Sequence, residues 1–185
     1  MIKPIETSYN GTLFRSRLEA RWAMFFDAFD LEWMYEYEGF QFEHRWYVPD
    51  FWLPQIETWI EIKPPYCFDY KEEIERHIQA SGLCRRLSME TKKRVLLFAS
   101  DFGGWERQLP LLMSAHFPGG DDDYGYLPCL CPDCGKLGFE YDGRAERICN
   151  HNPESNYRFP NSNHPLIVSA IKKINGHRFW PGKAA

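Results

Sequence analysis

The sequence predicts an α/β domain in which helices flank a mixed β-sheet. Apolar residues recur at helical spacing across residues 16–29, with Thr12 as the earliest start of this helix. Short apolar runs at residues 59–63 and 94–99 are typical of buried strands, and a second helical pattern at 69–80 separates them. Because a strand–helix–strand return usually forms a parallel crossover, these segments predict a mixed sheet with helices packed against it.

Two further strands are predicted before residue 59. Residues 33–37 alternate between apolar and acidic side chains, and Gly39 ends this pattern. Residues 40–48 alternate again, which predicts a second strand paired with the first. Further along, Gly82 marks the predicted end of the second helix.

The composition is that of a folded protein with a substantial core. The chain has 185 residues, of which 44% are hydrophobic, enough for one domain and a small appended module. The formal net charge of −4 argues against DNA binding through global positive charge, but not against a local basic patch with metal ions. The first nine residues lack the apolar run of a signal peptide, and no apolar stretch is long enough to span a bilayer. We therefore expect a soluble, cytoplasmic protein of a bacterial or phage-infected host cell, with no membrane partner.

Composition also predicts three regions along the chain. Residues 1–118 form the main core, and the Gly/Asp run at 119–123 is expected to be a solvated linker. Residues 119–160 then hold a small cysteine-containing module. Residues 161–185 contain a third helical pattern, at 164–174, which is expected to pack back on the core.

A group of charged side chains lies in and before the strand predicted at 59–63. Side chains two residues apart on a strand project from the same face, so Glu61 and Lys63 project together, away from the neighbouring isoleucines. Asp50 lies upstream, directly after a proline. Two carboxylates suit a hard cation such as Mg²⁺, which keeps several of its waters, and a nearby lysine stabilises developing charge. This combination is what metal-assisted phosphodiester hydrolysis requires.

The order of these elements and motifs resembles that of the PD-(D/E)XK nuclease superfamily, which has a restriction-endonuclease-like core. The resemblance covers roughly residues 10–100 and includes the segments 14–22 (FRSRLEARW), 35–37 (YEY), 48–51 (VPDF) and 61–63 (EIK). Within the superfamily the chain looks most like small phage-encoded nucleases, and it also looks like the catalytic domain of TnsA-type transposon endonucleases. The resemblance implies a metal-dependent DNA endonuclease that leaves 5′-phosphate and 3′-hydroxyl ends, acting in phage DNA replication, recombination or processing.

The resemblance also implies a role for each residue of the predicted site. Asp50, Glu61 and the backbone carbonyl of Ile62 would bind Mg²⁺ or Mn²⁺. Lys63 would orient or activate the attacking water and offset charge in the transition state. Glu19, on the first helix, would complete the metal site directly or through water.

Simpler interpretations of the same residues remain open at this point. Glu61 and Lys63 also fit a surface ion pair on an exposed strand face. Ser16 and Glu19 have the spacing of a capping box, in which the glutamate side chain reaches back to the start of the helix. That interpretation requires the helix to begin near Ser16 rather than at Thr12.

The cysteines predict a structural zinc site. Cys131 and Cys134 have the spacing of a zinc knuckle, and Cys149 and His151 complete a closed tetrahedral set. Cys129 is a rival to His151 as the fourth ligand, and disulfide pairing is the competing use of these thiols. Two more isolated cysteines are interpreted as ordinary buried thiols, namely Cys67 and Cys84.

Basic residues near the predicted metal site are candidates for binding DNA phosphates. They are Arg15, Arg17, Arg21, Arg85, Arg86, Lys92 and Lys93. Cleavage of both strands of a duplex would need two active sites, so a homodimer or a replication or recombination partner protein is a further expectation. The alternative from a different functional class is a catalytically idle DNA- or protein-binding module, built on a nuclease scaffold with a zinc knuckle.

Overall fold

The computed structural model describes residues 4–65, 70–99, 102, 114–122, 127–131, 134–141, 144–147 and 164–179. In the first half of the chain its elements are β1 Thr7–Tyr9, β2 Thr12–Phe14, α1 Arg17–Asp27, β3 Met34–Tyr35, β4 Phe40–Phe42, β5 Arg45–Tyr47, β6 Phe51–Leu53, a 3₁₀ turn at Pro54–Ile56, β7 Thr58–Lys63 and α2 Lys71–Thr91. They are followed by β8 Arg94–Ala99, β9 Ser114–Phe117, β10 Gly120–Asp122, β11 Leu127–Leu130, β12 Leu137–Tyr141, β13 Arg144–Arg147 and α3 Pro165–Gly176.

A mixed sheet lies at the centre of the described structure, with strand order β10-β9-β8-β7-β6-β3. β7 and β8 pair in parallel and are connected through α2, whereas the other neighbouring strands pair antiparallel. One hydrophobic cluster packs α1 and α3 against one face of the sheet, and a second packs α2 and β4–β5 against the other. We call them the α1-side and α2-side clusters. The predicted α/β class, with a mixed sheet flanked by helices, is confirmed.

α1 lies at the centre of the α1-side cluster. The hydroxyl of Ser16 caps its N-terminus by accepting a hydrogen bond from the Glu19 N–H at 3.2 Å. The side chain of Trp22 is fully buried and stacks on Phe98 of β8, with 4.2 Å between ring centroids. The predicted helix is confirmed, but the early start at Thr12 is wrong, because this residue lies in β2, which pairs with β1.

Residues 40–48 form a hairpin rather than the single strand that their alternation predicts. β4 and β5 pair with each other, with Phe40 opposite Tyr47. The turn between them includes Glu43, whose φ of +49° lies in the left-handed region. β3 pairs with β6 instead. The predicted pairing of the first two strands is therefore wrong, because the chain reverses direction at Glu43.

α2 continues well beyond residue 80, where its predicted pattern ends, and reaches Thr91. Gly82 lies on the exposed face of the helix, where an added Cβ would meet nothing within 4 Å. A glycine inside a helix costs about 1 kcal/mol relative to alanine. Cys84 and Leu87 are fully buried beyond it, and this burial offsets that cost.

α2 is the longest of the described helices, with 21 residues, and charged side chains occur along it. Neither α2 nor any other described helix has the length and hydropathy that crossing a bilayer requires.

The residues after 113 extend both the sheet and the α1-side cluster. β9 and β10 form a hairpin at the edge of the central sheet, so the linker predicted at 119–123 is wrong at Gly120–Asp122. β11, β12 and β13 form a three-stranded antiparallel sheet. Leu130 and Phe139 of this sheet belong to the same hydrophobic cluster as Ile167 of α3.

Candidate active site

Asp50, directly before β6, lies opposite Glu61 of the paired strand β7. β6 and β7 pair antiparallel with Phe51 opposite Ile60, and one further step in this register places Asp50 opposite Glu61. Both residues are buried, with 3% of Asp50 and 5% of Glu61 exposed. The fold therefore brings together the two carboxylates that the sequence assigns to a metal.

The alternation along β7 places Glu61 and Lys63 on the α2 side of the sheet. Ile60 and Ile62 belong to the α1-side cluster, whereas Trp59 belongs to the α2-side cluster. Lys63 Nζ donates to Glu61 Oε1, and also to the backbone carbonyl of Ile62 at 3.2 Å. Glu61 and Lys63 share one face, as predicted, and they form an ion pair with a buried carboxylate rather than an exposed surface pair.

Both side-chain oxygens of Asp50 accept hydrogen bonds. The backbone N–H of Ile62 donates to Oδ2 at 2.7 Å, and the guanidinium of Arg15 donates to Oδ1 at 2.7 Å. The same guanidinium reaches Glu36 at 2.9 Å. The sequence groups Arg15 with residues that contact DNA and gives no sign of its contact with Asp50, which lies 35 positions further along the chain.

The closeness of these charges alters their proton affinities. Burial, and then the charge of Glu61, raise the pKa of Asp50 well above its usual range, although Lys63 opposes the change. Burial alone would lower the pKa of Lys63, but the carboxylates of Glu61 and Asp50 outweigh it and raise that pKa. Asp50 therefore holds a proton more readily than an isolated carboxylate would.

Glu19 lies beside this site, but local hydrogen bonds take up its carboxylate. Its Oε1 accepts from the Ser16 hydroxyl at 2.7 Å, and its Oε2 accepts from the Arg15 N–H at 3.2 Å and the Tyr35 hydroxyl at 2.5 Å. With Ser16 as the cap, Glu19 occupies the third helical position and reaches back to the helix start, but the backbone N–H it accepts from is that of Arg15 rather than that of Ser16, as a capping box would have it. Its role at a metal stays a prediction.

The acidic residues that a metal would use are few. In the part of the chain that the structure describes, no group of three or more His, Cys, Asp or Glu side chains is placed to hold a metal ion. A metal here would rest on the carboxylates of Asp50 and Glu61 and on the carbonyl of Ile62. That donor set fits Mg²⁺, which takes oxygen ligands and keeps several of its own waters.

Two residues that the sequence leaves outside the site contact it. The hydroxyl of Tyr47 donates to Glu61 Oε2 at 2.8 Å, and the sulfur of Cys84 lies 4.0 Å from the Tyr47 oxygen. Burial raises the pKa of both groups well above their usual values, so both remain protonated at neutral pH. The predicted burial of Cys84 is confirmed. Nothing in the alternating pattern around Tyr47 distinguishes it from an ordinary core tyrosine.

Two of the predicted DNA-binding residues lie far from the carboxylates. Lys92 and Lys93 directly precede β8, which runs parallel to β7. They therefore lie at the opposite end of the sheet from Lys63, about 20 Å or more away along the strands. Lys93 forms an ion pair with Glu57 at 2.5 Å there. This pair of lysines is not part of the group around Asp50.

The remaining predicted DNA-binding residues lie on the helices. Arg17 is exposed near the start of α1, and Arg21 is half-buried one turn later. Arg85 is exposed on α2. Arg86, its neighbour, donates to Glu43 in the β4–β5 turn at 3.0 Å.

The predicted zinc ligands lie only partly within the described residues. Cys131 and Cys134 are described, and the Gly135 N–H donates to the Cys131 carbonyl at 2.7 Å. Gly135 has a φ of +70°, a conformation that glycine adopts readily. Cys131 and the rival ligand Cys129 are buried, whereas Cys134 is exposed. Outside the described residues lie Cys67, Cys149 and His151.

Comparison with known protein families, with curated proteins and with solved structures found no match to this chain.

Proposed function

We propose that this chain is a metal-dependent DNA endonuclease of the PD-(D/E)XK type, yielding 5′-phosphate and 3′-hydroxyl ends. The observation that carries the proposal is the pair of buried carboxylates, Asp50 and Glu61, opposite each other on adjacent strands with Lys63 beside them. Burying two such acids together is unfavourable unless a cation neutralises them. Such pairs are therefore retained at sites where a cation binds or a proton is moved.

The chemistry would be divided among a few groups. Asp50, Glu61 and the Ile62 carbonyl would hold Mg²⁺ or Mn²⁺, which supplies Lewis-acid activation of the phosphodiester and its attacking water. Lys63 is protonated and partly exposed, so it can donate to a phosphate oxygen as negative charge develops. Arg15 lies at the edge of the same site, with its side chain more than half exposed, and can bind a flanking phosphate.

The substrate and assembly follow from this chemistry. DNA would be bound locally by arginines beside the site rather than by overall charge, which is −4. Cleavage of both strands would need a second site, supplied by a homodimer or by a replication or recombination partner.

Plasmid cleavage tests the proposal directly. Purified protein would be incubated with supercoiled plasmid and with a panel of branched DNAs, with Mg²⁺, with Mn²⁺ or with EDTA. We expect metal-dependent nicking that DNA ligase can reseal, since ligase needs 5′-phosphate and 3′-hydroxyl ends. Lys63→Ala should lower the rate at least about 100-fold, as removal of one charge-stabilising donor does in other enzymes.

The control for this experiment is Lys71→Ala, which removes an exposed lysine at the start of α2. It should leave the rate unchanged. Equal rates for the wild type and Lys63→Ala would contradict the proposed chemistry.

One observation favours a second candidate, the catalytically idle binding module. Arg15 and Lys63 form ion pairs with Asp50 and Glu61, so each buried acid has a positively charged partner within the chain itself. Under that alternative, the wild type and Asp50→Asn would bind DNA with equal affinity, and neither would cleave any substrate.

We also propose that the segment around Cys131 and Cys134 binds a structural Zn²⁺. The hydrogen bond from the Gly135 N–H to the Cys131 carbonyl supports this, because it keeps the backbone of Cys131 close to that of the residue after Cys134, as the two-residue spacing of a zinc knuckle requires. Cys149 and His151, or Cys129 in place of His151, would complete the site. Zinc content measured on purified protein should be about one ion per chain, falling in Cys134→Ser but not in Cys84→Ser.

A further inference from the structure

The hydroxyl of Tyr47 is a buried polar group that the proposed chemistry leaves without a role. Only 6% of the residue is exposed. The hydroxyl donates to Glu61 Oε2 at 2.8 Å, which is a normal distance for an O–H···O⁻ bond. The nearby Cys84 sulfur, at 4.0 Å, is a weak partner by comparison. The hydrogen bond to Glu61 is thus the main polar contact of this hydroxyl.

The two oxygens of Glu61 are therefore held in different ways. Oε2 is bound by a neutral donor from β5, and Oε1 is bound by the ammonium of Lys63, whose side chain is partly exposed. Lys63 also donates to the Ile62 carbonyl, so its ammonium contacts two of the three atoms that a metal would use. A cation that enters the site can take the place of this ammonium, but it cannot take the place of Tyr47 without breaking a buried hydrogen bond.

The tyrosine is held rigidly because its hairpin is fixed to α2. The Tyr47 ring stacks against Phe42 in the paired strand, with 5.8 Å between centroids. Arg86 of α2 lies over the Phe42 ring at 5.4 Å and donates to Glu43 in the turn. These contacts leave the hydroxyl little freedom to follow Glu61 if the glutamate turns.

We propose that Tyr47 is a positioning residue that orients Glu61, so that Oε1 faces the metal. This inference rests on the proposed function, because it concerns the same metal site. Removing a hydrogen bond that orients a metal ligand typically lowers metal affinity or activity by about 10- to 100-fold. Tyr47 acts through Glu61 and does not itself touch the reacting atoms.

The test is Tyr47→Phe, which removes the hydroxyl and keeps the ring. Mn²⁺ binding to protein dialysed free of Mg²⁺ and Mn²⁺, without a chelator that would remove zinc, would be measured by calorimetry, independently of cleavage. We expect Tyr47→Phe to bind Mn²⁺ about 10- to 100-fold more weakly than the wild type. In cleavage assays, the variant should need a correspondingly higher Mn²⁺ concentration for half-maximal rate, and saturating Mn²⁺ should restore most of its rate. The KM for DNA should not change.

Two controls separate positioning from general damage. Tyr37→Phe makes the same chemical change at a tyrosine that is 56% exposed, and should bind Mn²⁺ like the wild type. In a Glu61→Ala background the Tyr47→Phe change should have no further effect on Mn²⁺ affinity, because the side chain that Tyr47 holds is gone. If Tyr47→Phe misfolds, the inference is instead tested with Phe42→Leu, which loosens the ring stack and should also weaken Mn²⁺ binding.

The outcomes distinguish this inference from the proposed function. If the wild type binds Mn²⁺ and cleaves DNA, Glu61→Gln is inactive, and Tyr47→Phe binds Mn²⁺ like the wild type, the nuclease stands and the positioning role is overturned. If the wild type neither binds Mn²⁺ nor cleaves DNA, the proposed function fails and the inference fails with it.

Discussion

Arg15 holds the oxygen of Asp50 that a metal would need, so replacing it should strengthen metal binding. The guanidinium donates to Oδ1 at 2.7 Å, while Oδ2 is already held by the backbone of Ile62. Arg15→Gln removes the positive charge that competes for Oδ1. We expect this variant to bind Mn²⁺ more tightly than the wild type and to be less stable without metal.

The size of the effect follows from charge separation and exposure. Opposite charges about 4 Å apart attract by about 4 kcal/mol at the effective dielectric constant of a protein surface. The Arg15 side chain is 56% exposed, however, and solvent screens such pairs strongly. We therefore assign about 1–2 kcal/mol to the competition, which corresponds to about 5- to 30-fold in the dissociation constant for Mn²⁺.

Calorimetric titration of Mn²⁺ into metal-stripped protein gives this constant directly, and thermal unfolding in EDTA gives the loss of stability. Arg17→Gln is the matched control, because Arg17 is an exposed arginine two positions further along the chain. It should change neither quantity. Weaker Mn²⁺ binding by Arg15→Gln would refute the reasoning, since it would mean that Arg15 supports Asp50 as a ligand rather than competing for it.

Two further predictions concern stability. Because the pKa of Asp50 is raised in the folded protein, the metal-free protein holds this proton more tightly than the unfolded chain does. The resulting stability is fully present below about pH 3.9, the pKa of an aspartate in the unfolded chain. It is lost as the pH rises through the raised pKa of the folded protein, by at most about 1.4 kcal/mol per pH unit. Urea unfolding in EDTA should show this pH-dependent loss of stability in the wild type. An equal loss in Asp50→Asn would show that Asp50 is not its source. Trp22→Ala should lower the free energy of unfolding by about 3–5 kcal/mol, because its fully buried ring would leave a cavity. Trp46→Ala, at a tryptophan that is 62% exposed, should cost much less, and similar losses for the two would show that the cavity argument is wrong.

The elements that could be predicted from sequence are those whose hydrophobic pattern comes from burying one continuous apolar surface. α1, β7 and β8 each bury a continuous apolar stripe or run, so their periodicity identifies them. The common face of Glu61 and Lys63 follows from strand geometry alone. The proximity of Asp50 to this face could be proposed only from the family resemblance, and the antiparallel register of β6 and β7 brings the two carboxylates together.

The errors occur where tertiary contacts override a local signal. Alternation continues through residues 40–48, but the left-handed backbone at Glu43 turns the chain back on itself. Gly82 is typical of a helix end. The burial of Leu87 beyond it stabilises the helix past this glycine, so α2 extends to Thr91. The contacts of Arg15 with Asp50 and of Tyr47 with Glu61 join residues far apart in sequence, and no local pattern encodes them.

The two faces of the central sheet differ in how much of the chain must be present before they can form. The α2-side cluster, which lies against the candidate active site, is drawn entirely from residues 40–97. The α1-side cluster joins residues as distant as Phe14 and Ile174. Closing the longer loop costs more conformational entropy, and contacts of large sequence separation slow folding. The hydrophobic cluster beside Glu61 and Lys63 therefore needs only residues 40–97, whereas the cluster that holds α1 and α3 needs most of the chain, and we expect the first to form earlier in folding.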